Sequence, residues 1–402
     1  MKKIRKTVDL YTYIVIFFLI YLEWGYACVI NESLTGIVKT ALMIALVLPL
    51  FLYKTFKFRK ENFALFVFLS IVILLSSLRD SNFGNTILLF VPLFCGFVFT
   101  SAIKFENAVD KFCNTMSYLS GISLVVFFLS LVLPSFIQRF PIMVNVWGTP
   151  IHNLLISVAP SNVSFVRNYG ITWEPGAFSL LLCISIFCLI VCYERLNKRK
   201  LTICIAALIT TFSTMGYIVL VIILFITRFK SVDTKHSRTG FFISILIVFG
   251  LFFFFTDDNN EMLSIVFGKL SGFSFGDDNP ETTQARVNAI IFPWFAFLSN
   301  PILGIGYDAF KGLNETVCNN VATNTIMNWF ALGGILLGGP CSYFYFKLVA
   351  KTSRRLKLNK LQLLVLFISF ALLISTESLL RISLIYMIIF YGCSNANFVK
   401  NA

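Results

Sequence analysis

The sequence predicts an all-α polytopic integral membrane protein, with about 12 transmembrane helices in a single domain over residues 1–402. The chain is 57% hydrophobic and only 13% charged, with a mean hydropathy of +0.83, whereas about one quarter of the residues of a soluble domain are charged. Apolar runs long enough to cross a bilayer recur along the chain. They are continuously apolar rather than alternating, which favours helices over a β-barrel.

The apolar runs give the positions of the predicted spans in chain order. They lie at about residues 10–30, 37–53, 63–78, 84–103, 115–133, 175–193, 201–213, 215–228, 239–256, 326–348, 361–376 and 380–395. Residues 201–228 and 361–395 are too short for two full spans each. We therefore predict two pairs of short helices, which turn at Ser213–Gly216 and at Thr376–Arg381.

Clusters of Lys and Arg lie between the spans and predict the orientation of the chain. They occupy residues 1–6, 53–60, 104–111, 194–200, 228–238 and 351–360. An even number of predicted spans separates each cluster from the next, so one orientation places all of them in the cytoplasm, where loops carry excess positive charge. Both termini are then cytoplasmic. The net charge of +14 thus indicates topology, and we predict no nucleic-acid partner.

Two long loops, at about residues 134–174 and 257–325, are predicted at the outer face. They mix aromatic residues, Gly, Pro and a few charges, as folded loops do. Residues 290–302 are apolar but contain two prolines, which predicts an interfacial or re-entrant element rather than a span. The ten Cys are scattered without a CxxC pair, so no metal site, disulfide framework or cofactor is predicted.

Polar residues near the outer face form the candidate site, because charged groups at membrane depth are costly and usually functional. Arg167 and Glu174 flank the segment "NYGITW", and Arg286 lies in a predicted amphipathic surface helix. We assign these three residues catalytic roles. The candidate substrate-binding residues are Asn168, Trp173, Asn324, Arg381 and His152.

The candidate chemistry is stabilisation of a departing diphosphate. Arginine binds phosphate oxygens bidentately, and pre-placed cations stabilise charge that develops on a leaving group. Glu174 would accept a proton from a sugar hydroxyl. A carboxylate held near arginines stays ionised and is a weak base, however, which counts against that role.

Structural roles compete with each of these assignments. Glu174 followed by Pro175 is also typical of a helix start. Glu377 and Arg381 have the spacing of an i,i+4 ion pair. His152 has the simpler interpretation of an ordinary loop histidine, and the arginines that of solvated or lipid-facing groups.

Three segments resemble bacterial O-antigen and capsule polymerases (Wzy type) and the related O-antigen ligases. Residues 167–178, "RNYGITWEPGAF", are similar to their Arg-x-x-Gly-x-x-x-(Glu/Asp)-Pro segment. Residues 284–310 resemble their Arg followed by a Pro-(Leu/Ile)-Leu-Gly-x-Gly turn. Residues 323–338 are similar to their His-Asn run, which enters a span.

The resemblance implies a multi-pass protein of the bacterial cytoplasmic membrane that polymerises undecaprenyl-diphosphate-linked oligosaccharide repeat units at the outer face. It would be a metal-independent glycosyltransferase without a cofactor, serving O-antigen, capsule or exopolysaccharide synthesis. Its implied partners are the lipid-linked glycan, membrane lipids and a chain-length regulator. Arg167 and Arg286 match the arginines expected to hold the diphosphate, and Glu174 matches the acidic position.

Two alternative functions stay open. A ligase of the same superfamily would transfer finished polymer to another acceptor, but Thr323 stands where the family has His, although Asn324 is retained. A transporter or flippase of lipid-linked oligosaccharides would also need many helices. The absence of an internal sequence repeat counts against a duplicated transporter.

Overall fold

The computed structural model describes residues 2–25, 32–52, 56–78, 83–144, 150–161, 166–193, 195–228, 280–317 and 323–394. Within these ranges the chain is mostly helical. The helices are α1 (Lys2–Trp24), α2 (Glu32–Val47), α3 (Lys60–Ser77), α4 (Phe83–Ala102), α5 (Phe105–Val132), α6 (Pro134–Ile137), α7 (Pro175–Val191), α8 (Lys198–Thr210), α9 (Thr214–Arg228), α10 (Pro280–Ser299), α11 (Tyr307–Val317), α12 (Thr325–Ser353), α13 (Lys360–Ile374) and α14 (Ser383–Cys393).

Two of these helices, α3 and α5, are long and apolar enough to cross a membrane by length and composition. Shorter apolar helical segments occur in α4, α7, α9, α13 and α14, among others. Each predicted span within the described residues overlaps a helix, and the two predicted short hairpins turn between α8 and α9 and between α13 and α14. The ninth predicted span, residues 239–256, lies outside the described residues.

The first long loop contains a small sheet that the prediction of an all-α chain missed. Strands β1 (Ile142–Val144), β2 (Pro150–Asn153) and β3 (Val158–Pro160) pair antiparallel in that order. The strands are only three or four residues long. Such short segments do not show the alternation of apolar and polar residues by which a strand is predicted. Buried Ile151 and Val158 pack against Trp173, which holds the sheet beside the start of α7.

The described part of the second long loop contains one long helix where the sequence predicted two separate elements. The predicted surface helix around Arg286 and the predicted re-entrant segment after it are parts of one helix, α10, which continues through Pro293. An internal proline removes one backbone hydrogen bond, and this helix accommodates that loss. Large apolar side chains remain exposed along α10, namely Ile290, Ile291, Trp294, Phe295 and Leu298.

The helices pack around one continuous cluster of buried apolar side chains that extends from α1 to α14. One end of the bundle, here called the Glu174 end, is where α1 and α13 finish and α7, α12 and α14 begin. A β-bridge between Gly25 and Thr172 joins the finish of α1 to the start of α7. The Thr325 hydroxyl accepts a hydrogen bond from the Leu379 N–H, 2.9 Å, which joins α12 to the turn between α13 and α14.

Candidate functional site

Glu174 occupies the N-cap position of α7, so the sequence interpretation of a helix start is correct for its backbone. Its φ and ψ angles are −152° and 158°, and Pro175 follows at the first helical position. The Glu174 carboxylate, however, makes no capping hydrogen bond. An N-cap side chain normally accepts from the first turn, so this carboxyl group has been turned to another partner.

That partner is Glu377, in the turn between α13 and α14. Glu377 is 4% exposed, and its carboxyl group lies beside that of Glu174 at the first turn of α7. Burial and the negative charge of Glu174 raise the pKa of Glu377 well above its ordinary value, and the hydrogen bond from Trp173 opposes this shift. Among the described residues, Glu377 Oε1 is buried without a hydrogen-bond partner.

Gly176 leaves room for the two carboxyl groups at the first turn of α7. A Cβ atom at this position would lie 3.0 Å from Glu174 Oε1 and 3.3 Å from Glu377 Oε1. A side chain there would therefore crowd both oxygens. The bare glycine keeps the carboxyl pair beside the positive end of a helix dipole.

The turn that carries Glu377 is fixed by the beginning of α12. Thr325 Oγ1 donates to the Glu377 carbonyl oxygen and accepts from the Leu379 N–H. Asn324 caps α12, since its Oδ1 accepts from the Met327 N–H at 3.1 Å, and Ser375 Oγ donates to the same oxygen at 3.3 Å. The predicted substrate-binding residue Asn324 is thus a buried helix cap next to the carboxyl pair.

Two stacked tryptophans lie beside the carboxyl pair. The rings of Trp24 and Trp173 have centroids 5.4 Å apart and an interplanar angle of 13°. The preceding residue of α1, Glu23, accepts from the Ser383 N–H at 2.8 Å and 2.9 Å through its two carboxylate oxygens. It thereby satisfies a backbone N–H at the start of α14, one of the donors that a helix leaves without an intrahelical partner.

The Arg167 guanidinium binds the backbone at the end of α8. Its Nε donates to the Thr211 carbonyl at 3.1 Å and its Nη2 donates to the Phe212 carbonyl at 3.0 Å. These carbonyls follow the last turn of α8, where a cation complements the dipole.

The neighbouring residues tie this segment into the bundle. Asn168 is 3% exposed, and its amide donates to Ser123 Oγ and to Thr210 Oγ1. Tyr169 lies within electrostatic range of both Arg167 and Glu174, and burial raises its pKa. The predicted substrate-binding residue Asn168 lies inside the protein, bonded to α5 and α8.

Arg381 and His152, among the remaining predicted residues, have partners of their own. Arg381 bonds to the Tyr307 hydroxyl, and its guanidinium lies 4.9 Å from the centroid of that ring. The alternative of an i,i+4 ion pair with Glu377 is wrong, because the two residues lie in a turn rather than a helix. His152 is buried in β2 with Nδ1 2.8 Å from the Phe140 carbonyl oxygen. Arg286 lies in α10, but its side chain is outside the described part of the structure.

Sequence reasoning did not select Glu23 or Trp24, and it noted Glu377 at the last outer turn without assigning it a catalytic or binding role. Glu23 had a signal of its own, because it is an acid inside an apolar run. No pattern in the sequence indicated that Glu377 lies beside Glu174, because several helices separate the two residues along the chain. No family model matches the chain, and no curated protein matches it closely enough to indicate a relative.

A second junction joins the Pro-Ile-Leu-Gly-Ile-Gly turn, residues 301–306, to α12. Helix α12 is interrupted at Gly333 and Gly334, which have non-helical dihedral angles. The N–H groups of Ile305 and Gly306 donate to the Ala331 and Leu332 carbonyls, at 2.9 Å and 3.1 Å. In return, the Ile335 and Leu336 N–H groups donate to the Pro301 and Ile302 carbonyls, at 2.8 Å and 3.4 Å. We call this arrangement the glycine clasp.

Proposed function

We propose that the chain is a polymerase of lipid-diphosphate-linked oligosaccharide repeat units in the bacterial cytoplasmic membrane. One observation supports this proposal most strongly. The three segments that resemble O-antigen and capsule polymerases are far apart in sequence, yet they meet in the structure. Residues 167–178 contact the start of residues 323–338 through the Glu377 turn, and residues 284–310 contact the same helix through the glycine clasp.

The chemistry of the Glu174 end fits transfer to a sugar hydroxyl. Trp173 is partly exposed beside Glu174, and carboxylates accept hydrogen bonds from hydroxyl groups. Arg167, Arg286 and Arg381 would supply positive charge for the diphosphate, which develops negative charge as its bond to the sugar breaks. Arg167 and Arg381 also have structural partners, so we expect each to combine positioning with electrostatic stabilisation.

The topology that we propose has about 12 spans, with the Glu174 end at the outer face. Two described basic clusters lie on helices that reach this site, each at the helix end that is farther from Glu174. Lys198, Arg199 and Lys200 begin α8, whereas its last turn meets Arg167. Residues 351–360 join α12 to α13, whose other ends meet at Glu377. Positive charge on the cytoplasmic side is the usual arrangement.

A lipid-linked oligosaccharide transporter is the second candidate, because α12 is a broken helix. Transporters often bind substrates or ions at the freed backbone groups of such helices. In this chain the turn at residues 301–306 takes up four of the backbone groups around the break. Those groups are engaged within the protein, which favours the polymerase over the transporter.

The length distribution of carrier-linked and surface glycan in a strain that lacks the gene tests the proposal. A polymerase predicts single repeat units at the surface and loss of the long-chain ladder on a gel. Long chains left on the lipid carrier would instead indicate the ligase. An unchanged ladder, in a strain with no redundant enzyme, would contradict both functions and favour the transporter.

Complementation with site variants then tests the assigned residues. We expect Glu174→Gln to reduce long polymer strongly, because it removes the carboxylate that faces the acceptor. Glu315→Gln is a matched control, since Glu315 is an exposed residue of α11 that pairs only with Lys311 among the described residues. Expression of each variant should be measured by immunoblot, so that a loss of polymer is not a loss of protein.

A further inference from the structure

The helical bundle encloses an apolar cavity between α1, α5, α7, α12 and α14, with a volume of about 110 Å³. Its wall includes Trp24, the last residue of α1 at the Glu174 end, and Phe105, the first residue of α5 at the opposite end. We propose that this cavity binds one acyl chain of a membrane phospholipid. From the proposed function the inference takes only the membrane location, not the reaction.

The cavity is long and narrow. Its wall on α1 runs from Ile16 to Trp24, which is about 12 Å along a helix axis. A volume of about 110 Å³ over at least that length suits a single file of methylene groups, since an engineered cavity of about 150 Å³ holds one benzene molecule. An unbranched acyl chain matches this width, whereas a polyisoprenyl chain carries a methyl branch on every fourth carbon.

The wall offers little to water. Four of its polar side chains have hydrogen-bond partners within the protein, namely Glu23, Tyr345, Thr352 and Tyr391. An apolar cavity of this kind stays dry. Protein interiors contain few voids larger than a water molecule, and an empty cavity costs stability in proportion to its volume. An apolar occupant removes that cost.

Trp24 marks the end of the cavity where a polar group of the ligand lies. Trp24 is 1% exposed, and its indole Nε1 is a buried donor without a hydrogen-bond partner among the described residues. Leaving such a donor unsatisfied is costly, and the ester carbonyl of a phospholipid satisfies it. A neutral carbonyl suits a position next to the Glu23 carboxyl group better than the phosphate of an isoprenyl carrier does.

An acyl chain in the cavity fastens α1 to the rest of the bundle. Helix α1 contributes Ile16 and Leu19 to the wall, and α14 contributes Met387, so the chain contacts both helices. It thereby holds Trp24 against Trp173, whose ring centroid is 5.4 Å away. The lipid is therefore a structural ligand that maintains the Glu174 end.

Photolabelling of the full-length protein in detergent tests the site. The probe is phosphatidylglycerol with a diazirine in the middle of one acyl chain. After irradiation, mass spectrometry should find the label on buried wall residues such as Leu19 and Met387. A label that is absent, or confined to exposed residues of α5 such as Val125 and Phe128, would overturn the inference.

A substitution that fills the cavity should exclude the probe. Ala108 is a small wall residue of α5, so the label on Met387 in Ala108→Phe should fall by about tenfold or more, as overpacking of the cavity by the chain predicts. Ile122→Phe is the matched control, because Ile122 lies on the same helix and is 40% exposed. It should label like the wild type. Undiminished label on Met387 in Ala108→Phe would contradict the inference.

Trp24→Phe tests the polar end of the site. Phenylalanine retains an aromatic ring beside Trp173 but lacks the N–H donor. Half-maximal labelling should need roughly two- to tenfold more probe, which corresponds to the loss of one neutral hydrogen bond. The variant adds no bulk to the core, so it remains informative if Ala108→Phe fails to fold. An unchanged half-maximal concentration would overturn the assigned orientation of the lipid.

Competition identifies the source of the chain. Unlabelled phosphatidylglycerol should displace the probe at a lower concentration than polyprenyl diphosphate does, and the reverse order would overturn the acyl assignment. The outcome is separable from that of the proposed function. A protein that takes the label as expected, from a gene whose loss leaves the glycan ladder unchanged, would contradict the polymerase and leave the lipid site standing. A polymerase without label on the wall would contradict only the lipid site.

Discussion

At the scale of single residues, the structure gives several of the predicted catalytic and substrate-binding residues a structural partner. Arg167 bonds to the two carbonyls that follow α8, and Asn168 bonds to α5 and α8. The residue pattern that resembles a polymerase therefore coincides with residues that organise the start of α7. A substitution here affects folding and chemistry together, and the two effects need separate measurements.

We predict that Arg167→Ala lowers the free energy of unfolding by roughly 2 kcal/mol, because it removes hydrogen bonds from a charged donor to two carbonyls. Arg167→Lys should recover only part of this loss, since an ammonium group lacks the planar fork. Thermal unfolding in detergent measures the effect. Arg139→Ala, in an exposed loop at the same end, is the control and should unfold like the wild type.

The raised pKa of Glu377 predicts a pH-dependent stability. A carboxyl group whose pKa is higher in the folded than in the unfolded state contributes stability that is complete below the unfolded pKa. That contribution is lost as pH rises through the folded pKa. The wild type should therefore lose stability as pH rises above the ordinary glutamate range, and Glu377→Gln should flatten this slope. Chemical denaturation across pH measures it, and parallel slopes would contradict the assigned pKa shift.

At the scale of elements, the glycine clasp contains three glycines with positive φ, Gly304, Gly306 and Gly334. Gly334 has φ of 61° and ψ of −159°, a region that is essentially restricted to glycine. A Cβ atom there would lie 2.2 Å from the Ile302 carbonyl oxygen, and one at Gly304 would lie 2.4 Å from the Leu332 carbonyl. The two backbones therefore approach too closely for any other residue.

We expect Gly334→Ala to destabilise the protein by roughly 1–3 kcal/mol or more, from backbone strain and the clash with Ile302. Gly339→Ala is a matched control in the same helix, because a Cβ there meets only Ile335, at 3.7 Å. Alanine is the better helix former, so the control should be neutral or slightly more stable. Melting temperatures in one detergent compare the two, and equal values would count against the clasp.

At the scale of the whole molecule, the candidate site lies at the opposite end of α8, α12 and α13 from the basic residues 198–200 and 351–360. This arrangement predicts the side of the membrane on which each turn is found. Alkaline phosphatase fused after Gln138 should be active, since that enzyme needs the oxidising outer side. Green fluorescent protein fused after Leu196 or Lys357 should fluoresce in the cytoplasm. Active phosphatase at all three positions would contradict the proposed orientation.

Local patterns in the sequence were sufficient to predict the helical architecture. Long apolar runs predicted the positions of the described helices other than α6, α10 and α11, which lie in the segments predicted as long loops. A continuous apolar segment of sufficient length has few alternatives to a helix. The short hairpin around Ser213 was also predictable, since basic clusters flank both of its ends. The start of α7 at Pro175 followed from Glu-Pro-Gly alone. Each of these features depends on neighbours along the chain.

Contacts between distant segments were decided only by the tertiary structure. The approach of Glu377 to Glu174, the bond from Glu23 to Ser383 and the joining of residues 301–306 to Gly334 each link helices that are far apart in sequence. The packing that brings these segments together cannot be derived from local patterns in a single sequence. The sequence identified Glu174 as a residue of interest, but only packing determined that the buried carboxyl group of Glu377 lies beside it.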